Sequence, residues 1–137
     1  MKKALLIMTL IVLAACGAQK STQEKLDMNL AIRDFIAVRG LEELDKIRRS
    51  DRDGWKTLTD DFIIYRARRD RYLVEFARRC PELSDNTEIT PDIRSDTSSL
   101  RSRFDTLRGC RIHQIYALTE GEVIELEELG EVPGSRN

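Results

Sequence analysis

The strongest constraint on this chain lies at its start. Met1, Lys2 and Lys3 are followed by Ala4 to Ala15, an uncharged run in which Thr9 is the only polar residue, and then by Cys16 and Gly17. A positive start, a short apolar stretch and small residues at a cleavage point make an export signal. A helix of about 12 residues reaches about 18 Å, short of a hydrocarbon core of about 30 Å, so the run reads as a signal and not as a permanent span. What folds is then the chain beyond it, in an oxidising compartment.

The end of that run, Leu13-Ala14-Ala15-Cys16, resembles the lipobox of bacterial lipoproteins. The resemblance implies cleavage before Cys16, a diacylglyceryl group on the Cys16 thiol, and a further acyl chain such as palmitate on the new amino group. Each buried methylene adds about 0.8 kcal/mol, so several chains anchor far more firmly than one. Gly17, where an acidic residue would signal retention, implies by the same resemblance the outer membrane, with the protein facing the periplasm.

Without residues 1–15 the chain keeps 122 of its 137 residues, enough for one domain and too few for two. The whole sequence holds 23 Lys and Arg against 24 Asp and Glu, and loss of Lys2 and Lys3 moves the balance to about −3. No basic excess points to nucleic acid. Of the three cysteines, Cys80 and Cys110 remain once Cys16 is lipidated, and a pair in such a compartment reads as a disulfide. A metal site needs more ligands than two distant cysteines and the single His113, and a redox pair favours a C-x-x-C spacing that is absent.

Residues 16–23 are small and polar and read as a lipidated tether. Leu26, Leu30 or Ala31, Ile32, Phe35 and Ile36 then recur at three- and four-residue spacings, with Gly40 beyond them, which predicts a helix over Thr22 to Val38. Leu41 to Arg49 is readable as helix or first strand. Ser50 to Gly54 and Thr59-Asp60-Asp61 are turn compositions. Phe62-Ile63-Ile64-Tyr65 and Tyr72-Leu73-Val74-Glu75-Phe76, separated by the charged stretch Arg66 to Arg71, predict a β-hairpin with Tyr72, Val74 and Phe76 on one face. Residues 81–103 are polar and loop-like, with short extended pieces at 88–93 and 104–107. Cys110 to Leu118 reads as a strand, and Thr119 with Glu122 makes a capping box for a short helix ending at Gly130. The expected domain is residues 24–130, with 131–137 a flexible tail. Its class is α+β: a small curled antiparallel sheet or barrel with an N-terminal helix and a short C-terminal helix.

Gly54-Trp55, Asp60-Asp61, Tyr72-Leu73-Val74, Arg79-Cys80, Arg103-Phe104-Asp105, Gly109-Cys110-Arg111-Ile112 and Ile115-Tyr116 together resemble a family of small proteobacterial lipoproteins known only as a domain of unknown function. The resemblance covers most of the chain beyond Cys16. It implies the same element order and cysteine pair, and it carries no activity, cofactor or catalytic residue.

No nucleophile elbow, phosphate loop or metal-binding helix motif is present, so the sequence nominates no catalytic residue, metal ligand or cofactor. His113 lacks the orienting partner and nucleophile that a general base needs. Asp60 and Asp61 are adjacent, so their side chains are expected on opposite faces, closing a turn. Arg66, Arg68, Arg69, Arg71, Arg78 and Arg79 flank the hairpin. Arginine makes bidentate contacts to phosphate and carboxylate, which suits an anionic envelope component or an acidic protein partner, while charge on an edge strand also blocks aggregation. The expected role is therefore a non-enzymatic binding or structural module of the bacterial envelope. The alternative is a hydrolase or small-ligand protein with a loop-assembled site containing His113, Asp60 and Asp61.

Overall fold

In a computed structural model the described residues are 16–50, 53–83, 93–94 and 98–130. Helix α1 spans Cys16–Arg39. It begins six residues earlier than the spacing predicts, so the expected tether over 16–23 is helical. Ala18, Gln19 and Lys20 are good helix formers, no proline interrupts the ladder, and Gly17, a poor helix former, falls in the first turn. The other end is fixed by Gly40 at φ +59°, a left-handed position that glycine takes without a Cβ clash. The Leu41 N–H then bonds back to the Ile36 carbonyl at 3.3 Å, the closing bond of a Schellman turn.

The rest of the chain is mostly strand: β1 (Glu43–Leu44), β2 (Lys46–Arg48), β3 (Gly54–Thr57), β4 (Phe62–Ala67), β5 (Asp70–Phe76), β6 (Ile93–Arg94), β7 (Ser99–Arg101), β8 (Thr106–Leu107) and β9 (Cys110–Leu118). Helix α2 (Glu120–Gly130) follows. The main sheet runs β3-β4-β5-β9-β8-β6, with β1 also on β9, and all its pairs are antiparallel. Strands β2 and β7 form a separate ribbon. The predicted hairpin is present with a tight turn, Ala67 facing Asp70. The ambiguous 41–49 segment is strand. The weak pattern of Gly54–Thr57 gave no sign of β3, and β7 lies in what reads as loop. The expected extended piece at 88–93 falls outside the described residues save Ile93, and the expected signal segment 1–15 and expected tail 131–137 fall outside them entirely.

Both faces of the sheet are buried, which is why Phe62-Ile63-Ile64-Tyr65 is apolar without alternation. Phe62, Ile64, Leu73 and Tyr116 pack with Ile32 of α1 and Leu126 of α2. Ile63, Tyr65, Val74, Phe76, Ile112 and Ile115 pack on the other side under Ile47 of β2 and Leu100 of β7. Strand β9 changes parity to serve both covers: Glu75 faces Gln114 but Phe76 faces Ile112, leaving His113 as the extra residue of a bulge. The sheet curls until Arg108, in the β8–β9 turn, lies 5.0 Å from the ring centre of Trp55 on β3. It does not close: β3 and β6 are its two ends, so the barrel form of the expectation is not the one adopted. The curl stops at a side-chain contact, without backbone hydrogen bonds between those two strands.

Cys80 and Cys110 meet within the second core, their sulfurs bonded and their Cα atoms 6.0 Å apart. They tie the exit of β5 to the entrance of β9. The capping box of α2 is formed as expected: the Thr119 N–H donates to Glu122 Oε2 at 2.8 Å and the Glu122 N–H to Thr119 Oγ1 at 3.3 Å. A crosslink across a sequence separation of 30 removes about 3 to 4 kcal/mol of freedom from the unfolded chain. Cys80→Ser or Cys110→Ser should therefore lower the thermal midpoint by roughly 10 to 20 °C in calorimetry. Two free thiols titrated in the folded protein purified without reductant would remove the bond from the native state.

Candidate functional site

The hairpin tip gathers four arginines. Arg66 on β4 and Arg71 on β5 face each other directly, and Arg68 and Arg69 make the turn between them. Arg68 adopts φ +57°, where an L side chain is costly. The Arg66 guanidinium lies over Gly54, 3.4 Å from where a Cβ would stand. Arg71 Nη1 donates to the Asp70 carbonyl at 3.2 Å. Among the described residues, none of the four forms a salt bridge with a carboxylate. Like charges directly opposed across a strand pair cost up to about 1 kcal/mol. Nor do Arg66 and Arg71 guard an edge, because β4 lies between β3 and β5, and β5 between β4 and β9.

Arg78 and Arg79 belong elsewhere. They follow β5 at the end away from the tip, so the six arginines form two groups and not one rim. Arg79 reaches Asp60 at 3.6 Å, as does Lys25 of α1. Asp61 accepts from Asn29 Nδ2 at 2.5 Å. The two aspartates close the β3–β4 turn as expected, with Thr59 Oγ1 accepting from the Asp61 and Phe62 N–H groups. Their carboxylates do not diverge to opposite faces, since both engage α1; in this bend the strict alternation of a strand does not apply. His113 is exposed on the β9 bulge and shares no hydrogen bond with either aspartate. The three residues of the hydrolytic alternative are thus held apart in function, two in ion-pair or hydrogen-bond contact with the helix and one in solvent.

A polar group that sequence reading missed lies under α1. Glu75 is buried on the helix-facing side of β5, where it accepts from Arg33 Nη1 at 2.5 Å and from the Tyr116 hydroxyl at 3.4 Å. Lys25, Asn29 and Arg33, spaced by four, so meet Asp60, Asp61 and Glu75 in order. A carboxylate between Val74 and Phe76, in the otherwise apolar run from Tyr72 to Phe76, is the one sequence signal for this pairing. Near the disulfide, donor atoms of Cys80, Glu82 and Cys110 lie within 4.8 Å of one another. With the two sulfurs bonded to each other no thiolate is available there, and metal ligation by cysteine needs the thiolate.

The model of a family of unknown function, DUF6491, matches residues 1–129. The chain belongs to that family. The match spans the Gly54-Trp55, Arg79-Cys80 and Gly109-Cys110 motifs and assigns the DUF6491 chain no activity. No curated protein and no solved structure matches it.

Two buried phenols give this DUF6491 domain a readable electrostatic signature. Burial first, then the charges of Glu75 and Glu43 and the hydrogen bond to Glu75, push the Tyr116 hydroxyl up to about 12 from an ordinary 10.0. Burial, followed by the hydrogen bond to Asp53, pushes Tyr65 up as well. A raised pKa in the folded state means that the fold holds the proton more tightly than the unfolded chain does. The resulting stabilisation is complete below pH 10.0 and is lost as pH climbs toward 12. Urea midpoints measured from pH 8 to 12 should hold steady and then fall steeply above about 10, and Tyr116→Phe should remove part of that fall and leave the part due to Tyr65. An unchanged slope in the variant would place the titration elsewhere.

Proposed function

We propose that this chain is a lipid-anchored protein of the bacterial cell envelope, cut before Cys16 and held by acyl chains on that cysteine in the outer membrane, facing the periplasm. Its domain is a non-enzymatic binding module that presents Arg66, Arg68, Arg69 and Arg71 to an acidic envelope component. The export signal and Leu13-Ala14-Ala15-Cys16 support the address. The observation that carries the role is the hairpin tip. Its arginines oppose each other on interior strands, one of them at positive φ, with no carboxylate in ion-pair contact among the described residues. Such a cluster costs the fold stability, and edge protection does not account for it.

The anion-binding chemistry is that of guanidinium: planar, permanently charged, and able to bond a carboxylate through two parallel N–H groups. Cell-wall carboxylates are a better match than the headgroups of the anchoring leaflet, because the tip lies at the end of the domain away from Cys16. That placement follows from α1. Its Lys25 and Asn29 sit beside Asp60 and Asp61, at the opposite end of β4 from Ala67.

Two measurements test the reading. Cys16→Ser should release the protein from the membrane fraction or leave it as uncleaved precursor; a serine variant that still fractionates as cleaved, detergent-requiring protein overturns the anchor. The triple change Arg68→Gln, Arg69→Gln and Arg71→Gln should weaken co-sedimentation with purified cell-wall sacculi by roughly tenfold, at about 0.5 kcal/mol for each exposed contact, and raised salt should mimic it. Equal binding by variant and parent, at equal thermal midpoints, would leave the tip without this role.

A further inference from the structure

The end of the domain opposite the arginine hairpin has its own composition. Lys25 and Asn29 fix the N-terminal half of α1 beside Asp60 and Asp61, and the Asp61 carbonyl accepts from the Phe76 N–H at 2.9 Å. Phe76 faces Ile112 across the β5–β9 pair, and the Ala77 N–H donates to the Arg111 carbonyl at 3.0 Å. On the far side of Ile112 lies the β7–β8 turn, where the Arg103 N–H donates to the Ile112 carbonyl at 3.0 Å and the Ile112 N–H to the Asp105 carbonyl at 3.1 Å. Residues 77–79, Arg111 and the 103–105 turn are therefore strung across the first residues of β9, at the end where α1 begins.

Phe104 sits at the centre of that turn and is 75 % exposed. Arg103, beside it, adopts φ +66°, so the backbone pays strain to make a turn that keeps a phenyl ring at the surface, where one face meets the Arg101 guanidinium at 5.6 Å and the rest is open to water. Leu26 and Leu30, one helical turn apart on the part of α1 at this end, are 50 % and 64 % exposed. Arg78, Arg103 and Arg111 are exposed and form no salt bridge among the described residues. Of the neighbouring acids, Asp60 and Asp61 are engaged by Lys25, Arg79 and Asn29, Asp27 accepts from Gln23 Nε2 at 2.9 Å, and Glu24 is exposed beside Leu26, so the basic side of this end is the one formed by Arg78, Arg103 and Arg111. Exposed apolar side chains bordered by unpaired arginines are the composition of an interfacial membrane contact, in which rings and aliphatic chains enter the headgroup boundary and guanidiniums meet lipid phosphates.

We infer that this end of the domain rests on the leaflet that holds the anchor, with Phe104, Leu26 and Leu30 at the headgroup boundary and Arg78, Arg103 and Arg111 against anionic headgroups. The inference rests on the proposed lipid on Cys16. The uncharged run from Ala4 ends at the residue that opens α1, which brings the chain to a membrane at this end and no other. Cys16 lies nine residues before Lys25, about 13 Å along the helix axis, so contact requires α1 to lie obliquely to the surface. The lipid alone would leave the domain free to swing about Cys16; the contact fixes its tilt and turns the hairpin outward.

The test uses the full lipidated protein, purified from membranes and reconstituted in vesicles of phosphatidylethanolamine and phosphatidylglycerol or of phosphatidylcholine alone. Trp55 is the only tryptophan, so Trp55→Phe gives a silent background for Phe104→Trp or, as a control at the hairpin, Arg69→Trp. With lipids that carry a quencher near the headgroup, fluorescence from position 104 should be quenched at least about twofold more than that from position 69. Phosphatidylcholine vesicles, or Arg78→Gln, Arg103→Gln and Arg111→Gln together, should reduce the difference. Protein that floats with the vesicles but shows equal quenching at the two positions overturns the contact and leaves the anchor standing. Equal quenching at position 104 in both vesicle types overturns the role of anionic headgroups. Protein that fails to float overturns the anchor and the contact with it.

Discussion

The structure depends on a sheet that is apolar on both faces. Phe62 and Ile64 point one way from β4, Ile63, Tyr65 and Ala67 the other, and neither set can be left in water. One side is closed by the two helices. The other is closed by the β2–β7 ribbon and the residues around the disulfide. The chain makes the second cover from short strands with little regular pattern of their own, and this is where the covalent crosslink lies. Cys80 and Cys110 hold the least self-sufficient layer against the sheet, in the region where burial alone offers least.

That arrangement also explains which parts of the fold are legible before the structure is known. The β4–β5 hairpin, β9, the end of α1, the start of α2 and the cysteine pair each carry a local signal: an apolar run, a glycine at a helix terminus, a capping box, or an even number of thiols. Strands β3 and β7 carry none. Gly54-Trp55-Lys56-Thr57 has one large apolar residue, and Ser99-Leu100-Arg101 likewise, so their strand state comes from backbone pairing with β4 and β2. The Glu75 pairing escapes notice for a related reason: its partners Arg33 and Tyr116 are 42 and 41 residues away, and no periodicity links them. The arginines were visible as a group, but their division between two ends follows from hairpin geometry, which puts residues 66–71 and 78–79 a strand length apart.

Three arginines take left-handed backbone angles, Arg68, Arg103 and Arg108, at φ +57°, +66° and +48°. Glycine adopts such angles without the clash that costs an L residue on the order of 1 to 2 kcal/mol. For Arg108 the structure shows a return, the contact over Trp55 that ends the curl of the sheet. Arg68 and Arg103 have no such contact among the described residues, and they sit at opposite ends of the domain. A charged, strained residue where glycine would serve the turn better suits a surface that binds, because the fold alone gives no reason for it. The proposed hairpin and membrane contacts each include one of them.

What relates those two ends is the register of α1. Lys25, Asn29 and Arg33 meet Asp60, Asp61 and Glu75 at intervals of four residues, and Arg39 pairs with Glu125 of α2. Sliding the helix by one turn, about 5.4 Å, would bring Asn29 or Ala37 in place of Arg33 to Glu75, leave that carboxylate buried without its cation, and take Arg39 away from Glu125. The apolar stripe of Ile32 and Ile36 tolerates such a slip far better than the polar stripe does, since neighbouring turns offer Met28 and Phe35 as similar side chains. Hydrophobic burial thus holds the helix on the sheet, while the charged pairs decide where along the sheet it stops. That stopping point determines how far Cys16 stands from the end of the sheet, and with it the reach of any anchor attached there.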